Sequence, residues 1–289
     1  MWEISDIQSV EIIEAGPVRA ALRIERKFLD STITQYLSIY RDIPRIDFDT
    51  KIDWKEKQIL LKAAFPVDVH AEKATYDVQY GNVERPTHWN TSWDYAKFEV
   101  CAHKWADLSE DDFGVSLMNN CKYGHDIKDG VMRLTLLKSA TSPNVDADRE
   151  EHRFAYSLYP HAGSWRKAGT VQMAYSFNCP MYAAIEDAHP GVLPLDFSLA
   201  ASDQENVIID AVKKAEDSGD IIIRVYECYN RRTDVLLTFG MELAEVWECS
   251  LLENNLEQME FDRNAFKFVI KPYEIKTFKL RTKEGLLCR

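Results

Sequence analysis

Val18-Arg19-Ala20-Ala21-Leu22-Arg23-Ile24-Glu25 alternates, with Val18, Ala20, Leu22 and Ile24 on one side and Arg19, Arg23 and Glu25 mostly on the other. A period of two marks a strand with one buried and one wet face, because successive side chains of an extended backbone point in opposite directions. Thr32 to Tyr40 and Ile46 to Trp54 repeat the pattern, punctuated by Asp42-Ile43-Pro44. Serial strands at such short intervals read as a meander.

Outward from this stretch the same reading continues. Lys57 to Pro66, Val67 to Val78, Phe98 to Trp105, Gly114 to Met118, Val131 to Leu137 and His152 to Tyr159 read as extended, with a turn at Gly81-Asn82. The acidic run Asp107-Leu108-Ser109-Glu110-Asp111-Asp112 reads as a solvated connection, since it lacks the ligand spacing and central Gly of a calcium loop. Ile185 to Pro194 carries Pro190-Gly191 and reads as a connector. Beyond it, Asn206 to Lys214, Ile221 to Asn230, Val235 to Leu243, Ala244 to Ser250, Phe266 to Ile270 and Ile275 to Leu280 read as strands, with Gly219-Asp220 as a hairpin turn. The expected fold is all-β: a large β-sandwich over residues 1–190 followed by a smaller β-sandwich over 191–289.

Composition narrows the function. A formal net charge of −12 without a clustered basic surface disfavours nucleic acid and suits a neutral ligand. The cysteines at 101, 121, 179, 228, 249 and 288 contain no CxxC pair and read as buried thiols of a reducing cytoplasm. The histidines form no His-x-His or zincin pattern, so no metal site is expected within the chain. No apolar run approaches the ~18 residues of a membrane span. The start lacks the layout of a signal peptide, so the sequon Asn90-Thr91-Ser92 reads as incidental. Phosphate-loop and nucleophile-elbow motifs are absent.

One segment stands apart. Asn82 to Asp94 lacks a clear period, reads as a loop, and holds Arg85-Pro86-Thr87-His88-Trp89-Asn90-Thr91-Ser92-Trp93-Asp94. Trp faces stack on sugar rings, while Arg, His, Asn and Asp hydrogen-bond hydroxyls. Arg85, His88, Trp89, Asn90, Trp93 and Asp94 are therefore candidate substrate contacts; the competing reading makes Trp89 and Trp93 core anchors beneath the loop. His161, at the end of the His152 to Tyr159 strand, reads as a structural hydrogen-bonding residue.

The run from Arg85 to Val100 resembles a segment of cytosolic-type α-mannosidases of glycoside hydrolase family 38. His103-Lys104-Trp105-Ala106-Asp107-Leu108-Ser109-Glu110, Phe113-Gly114-Val115, Asn119-Asn120-Cys121-Lys122-Tyr123-Gly124 and Tyr159-Pro160-His161 follow in the order that family shows, and Trp2-Glu3-Ile4 resembles its Trp-Asp-Ile element. The resemblance implies a C-terminal β region, its large part mutarotase-like and lacking its first strands, from a retaining exo-α-mannosidase. It further implies an absent N-terminal catalytic domain as partner, which holds the zinc and the aspartate nucleophile, and a mannose-containing oligosaccharide as substrate. No catalytic residue and no cofactor are then expected in this chain, which alone is inactive. Lys122 becomes a candidate for reaching the active-site rim. Removal of a partner should uncover an apolar patch or sheet edge, and homo-oligomerisation through that edge is an expectation. Two rivals are a free-standing carbohydrate-binding β module using Trp89 and Trp93, and a mutarotase-like enzyme pairing His161 with Glu99.

Overall fold

The computed structural model describes residues 2–191 and 194–283. The chain divides into two compact units, Met1–Tyr182 and Ala183–Arg289. Between Asn178 and Ala200 the described residues form no helix or strand.

The first unit contains β1 (Ile7–Ala15), β2 (Arg19–Phe28), β3 (Ser31–Tyr40), β4 (Ile46–Asp53), β5 (Leu61–Pro66), β6 (Lys73–Val78), β7 (Gly81–Pro86), α1 (Ser92–Tyr95), β8 (Val100–Cys101), β9 (Trp105–Ser109), β10 (Phe113–Asn119), β11 (Gly124–Lys128), β12 (Val131–Leu137), β13 (Glu151–Ala162) and α2 (Thr170–Asn178). Nine strands form one sheet, β1-β2-β3-β4-β13-β10-β9-β6-β7, and four form another, β5-β12-β11-β8. Ile52, Leu117 and Phe154 from the first sheet and Ile127, Met132 and Leu134 from the second share one buried core.

The two layers are unequal, and the register shows where the excess lies. Ile12, Leu22, Leu37, Phe48 and Tyr156 face one another across β1, β2, β3, β4 and β13. Phe65 of β5 packs 5.7 Å from Phe48 and 6.1 Å from Tyr156, ring centre to ring centre, so the edge of the smaller sheet lies over β4 and β13. Beyond that edge the row is uncovered: exposure rises from 3% at Tyr156 to 75% at Ile12. The neighbouring row repeats this, from buried Phe154 through Thr50, Gln35 and Ile24 to Val10, 56% exposed. On the opposite face of the same strands Arg23 pairs with Glu11 and Glu25, and Arg153 with Asp49. One face carries the charges, and the other stays apolar past the edge of the smaller sheet.

The second unit contains β14 (Ala200–Ser202), β15 (Val207–Lys214), β16 (Ile221–Glu227), β17 (Thr233–Phe239), β18 (Leu243–Cys249), β19 (Asn255–Gln258), β20 (Phe261–Asp262), β21 (Ala265–Ile270) and β22 (Ile275–Thr282). They pair as β14-β17-β21-β20 and β15-β16-β22-β18-β19 around a core that includes Val225, Leu237, Phe239, Phe266, Phe278 and Leu280. The all-β expectation holds in both units.

Several local readings are corrected. The Phe98 to Trp105 strand shrinks to Val100–Cys101, and the strand that matters starts at Trp105. Asp107 and Leu108 therefore lie buried in β9 rather than in a solvated connection, and the exposed acids of that run are Asp111 and Asp112. Asp107 tolerates burial because Ser109 and Ser116 Oγ and His161 Nε2 all hydrogen-bond its carboxylate, the last two at 2.8 Å. Ser116 also bonds Thr170 at 2.9 Å, which ties down α2, a helix that the alternating pattern does not announce. The β6–β7 turn falls at Gln79-Tyr80, since Val78 pairs with Gly81, so Asn82 to Arg85 are strand and not loop. Of the cysteines, Cys228 and Cys249 are buried, whereas Cys101, Cys121 and Cys179 are exposed, because they sit at strand, turn and helix ends; Cys288 lies outside the described residues.

Gly114 is where the Asp107 cluster makes its tightest demand. A Cβ there would overlap the Ser109 side chain and come within 2.5 Å of the His161 ring. Gly114→Ala is expected to lower unfolding stability by about 1–3 kcal/mol in urea titrations, against little change for Gly191→Ala, whose Cβ would meet nothing within 4 Å.

Candidate functional site

The segment after β7 is held by few but specific bonds. Thr91 caps α1, its Oγ1 accepting from the Asp94 amide at 3.1 Å and donating to Asp94 Oδ2 at 2.7 Å. Lys128, at the end of β11, donates its ammonium to the carbonyls of Pro86 and His88 at 3.2 and 3.1 Å. The Asn90 amide donates to His88 Nδ1 at 3.3 Å. Thus tethered, the segment presents aromatic rings to solvent: Trp89 meets Tyr95 edge-on at 5.7 Å, Tyr95 meets Phe98 at 5.9 Å, and Trp93 is 80% exposed. Trp89 and Trp93 are therefore not core anchors.

Arg85 faces the other way. Its guanidinium carbon lies 4.7 Å from the Tyr76 ring centre, and its Nη1 is buried without a hydrogen-bond partner among the described residues. It lines, with Tyr76, Asp94, Lys97, His125 and Asp126, a cavity of about 10 Å³. That is about the room one water needs and far less than a sugar ring requires. His125 is wholly buried, with Nδ1 3.2 Å from the Tyr123 carbonyl. A carbonyl only accepts, so Nδ1 carries the proton and Nε2 is an acceptor. Burial pushes the His125 pKa down to about 4.

Lys122 does not reach outward. Its ammonium sits 4.5 Å from the centre of the Phe154 ring, and its amide donates to Asn119 Oδ1 at 2.7 Å. The structure thus brings Arg85 and Asp94 together at the cavity and leaves Trp89, Asn90 and Trp93 outside it, with Lys122 on a different loop. A hollow of about 360 Å³, which no sequence pattern announces, opens instead among Gln79, His103, Asn120, Tyr123 and Asn178.

The His161 and Glu99 pair of the mutarotase reading is not assembled. His161 is bonded to Asp107 inside the nine-stranded sheet, whereas Glu99 is bonded to Lys62 and Thr135 of the other sheet. Among the described residues no three His, Cys, Asp or Glu side chains are grouped to hold a metal ion.

Residues 1–146 match the sequence model of the glycosyl hydrolases family 38 C-terminal domain. Residues 206–278 match that of the family 38 C-terminal beta sandwich domain. The chain belongs to glycosyl hydrolase family 38. It is 38% identical over 280 residues to Alpha-mannosidase G of Dictyostelium discoideum, a match covering 93% of this chain and 26% of that protein. With Alpha-mannosidase 2C1 of Homo sapiens it shares 35% identity over 257 residues, covering 87% of this chain and 24% of that protein. This family 38 chain thus spans about a quarter of the length of these curated relatives. An alpha-mannosidase structure from Enterococcus faecalis V583 superposes with a TM-score of 0.81 over 96% of this chain and 35% of its own, at 19% identity, a likeness of fold.

His125 makes the acid stability of this family 38 chain testable. A folded pKa of about 4, below the ordinary histidine value of 6.5, means that the unfolded chain binds more protons between those values. The contribution is complete above pH 6.5 and is lost as pH falls toward 4, at up to about 1.4 kcal/mol per pH unit. In His125→Asn, urea midpoints compared with wild type from pH 7 to 4 are expected to fall less steeply with acidification.

Proposed function

We propose that this chain is the C-terminal β region of a retaining exo-α-mannosidase that releases terminal α-mannose from oligosaccharides. In this reading it supports a catalytic portion that holds the zinc and the aspartate nucleophile, and it has no activity alone. The observation that carries the reading is the apolar row that leaves the core at Tyr156 and ends exposed at Ile12. A sheet face so continuous with the core fits a large neighbouring body of protein, and the family 38 relatives named above have that additional length. The catalytic portion would cover β1 to β3.

The exposed rings of Trp89 and Trp93, with His88, Asn90 and Asp94 beside them, are proposed to face either the catalytic portion or the glycan. Arg85, folded onto Tyr76 beneath that segment, would act by shaping the surface, whereas Lys122, folded onto Phe154 on a different loop, would act only through the scaffold. The described cysteines form no disulfide with one another, which supports a cytoplasmic setting. Among the described residues no helix is long and apolar enough to cross a membrane.

Mannose release from an aryl α-mannoside tests the proposal. The 289-residue chain alone should release none, and adding it to a separately produced, inactive catalytic portion should restore release. Ile12→Asp, a change at an already exposed site, should leave the chain's own unfolding midpoint nearly unchanged and weaken restoration at least tenfold. Release by the chain alone, or no restoration by the unmodified chain, contradicts the reading.

A further inference from the structure

The hollow of about 360 Å³ lies at one end of the nine-stranded sheet, where the β6–β7 turn, the loop before β9, the turn after β10 and the end of α2 converge. Its frame is set by Asn119, which is buried and bonded through its side-chain amide and its backbone carbonyl alike. Asn119 Nδ2 donates to the His103 carbonyl at 2.7 Å, Oδ1 accepts from the Lys122 amide at 2.7 Å, and its carbonyl accepts from Asn178 Nδ2 at 3.1 Å. These bonds fasten three of the four converging segments to one another.

Around that frame several polar groups are left over. Asn120 uses Oδ1 to accept from the Ala155 amide at 3.0 Å, which leaves its two Nδ2 hydrogens. Asn178 uses Nδ2 twice, on Asn119 and on the Ala174 carbonyl at 2.9 Å, which leaves Oδ1 as an acceptor. The Gln79 amide and the Tyr123 hydroxyl have no hydrogen-bond partner among the described residues. The Tyr123 ring is 51% exposed and backed by the His103 imidazole at 5.1 Å.

This inventory favours one class of ligand. Amides and a phenol supply donors and acceptors in mixture, as a sugar's hydroxyls require, and a half-exposed tyrosine ring offers a seat for the apolar face of a pyranose. A phosphate would want several free cations, but Lys104, the one Lys or Arg among the described residues that line the hollow, is already set against the Tyr175 ring at 4.6 Å and Asp77 at 4.0 Å. The net charge of −12 adds to the case against polyanions. An apolar peptide anchor would find no aliphatic lining, while the volume lies within the range of about 300–1,000 Å³ usual for small-ligand sites.

We propose that this hollow binds one monosaccharide unit of a glycan, its hydroxyls held by Gln79, Asn120 and Asn178 and its ring face resting on Tyr123. Mannose as the sugar rests on the mannosidase reading above; the hollow's preference for a saccharide rests on its own chemistry. The aromatic segment around Trp93 is a separate surface.

Saturation-transfer NMR on the 289-residue chain with methyl α-mannoside tests the inference, with glycerol as a simple polyol. Transfer to the mannoside and not to glycerol is expected. Tyr123→Ala and Gln79→Ala should each weaken binding about fivefold or more, the equilibrium equivalent of one ordinary hydrogen bond or ring contact, at unchanged unfolding midpoints. Leu252→Ala, a change at an exposed site of the second unit, should leave binding intact. No transfer to the mannoside, equal transfer to glycerol, or binding lost in Trp93→Ala and kept in Tyr123→Ala would overturn it. Binding without restoration of mannose release would leave the hollow standing and remove the mannosidase reading; restoration without binding would do the reverse.

Discussion

Nine strands laid against four leave part of the larger sheet's inner surface bare, and this inequality governs most of the first unit. The four-stranded sheet ends at β5, where Phe65 packs against Phe48 and Tyr156. Under it the core side chains are buried. Past it, Val10, Ile12 and Ile39 remain exposed on the same face. Burying an aliphatic side chain fully is worth about 1.5–3 kcal/mol, so a row of them left in water is a strong drive for association. The charged outer face of the same strands, held by pairs such as Arg23 with Glu11, has no such drive.

At the other end of the sheet, polar chemistry is organised by buried groups that consume their own hydrogen bonds. Asp107 collects Ser109, Ser116 and His161, and through Ser116 it anchors α2. That places Asn178 where it can bond the Asn119 carbonyl and close one side of the hollow. Lys128 fastens the aromatic segment from beneath, so rings on an otherwise irregular stretch are presented as a fixed surface. Scaffold and candidate sites are thus linked by specific bonds rather than by proximity alone.

Legibility followed the reach of the interactions. The alternation of Leu22, Ile24, Leu37 and Phe48 is local, and the strands it predicts are present; β12 coincides with Val131–Leu137 residue for residue. Asp107 was misread because a carboxylate in an acidic run looks solvated unless its partners are known. Two of them, Ser116 and His161, lie 9 and 54 residues away. The inward turn of Arg85 depends on Tyr76 across a hairpin, and the outward turn of Trp93 on the cap at Thr91. The hollow was invisible because its groups come from four separate connections, none of which has a pattern of its own. Family resemblance supplied what periodicity lacks, an expectation of where such segments belong in a larger protein.

The reading proposed above has the bare inner face of β1 to β3 covered by a catalytic portion. Hydrogen exchange read peptide by peptide, on the chain alone and with the catalytic portion added, tests it most directly. The account predicts strong new protection across Ile7–Ala15 and Arg19–Phe28 on addition. Unchanged exchange in those two strands, with protection arising elsewhere in the chain, would contradict it.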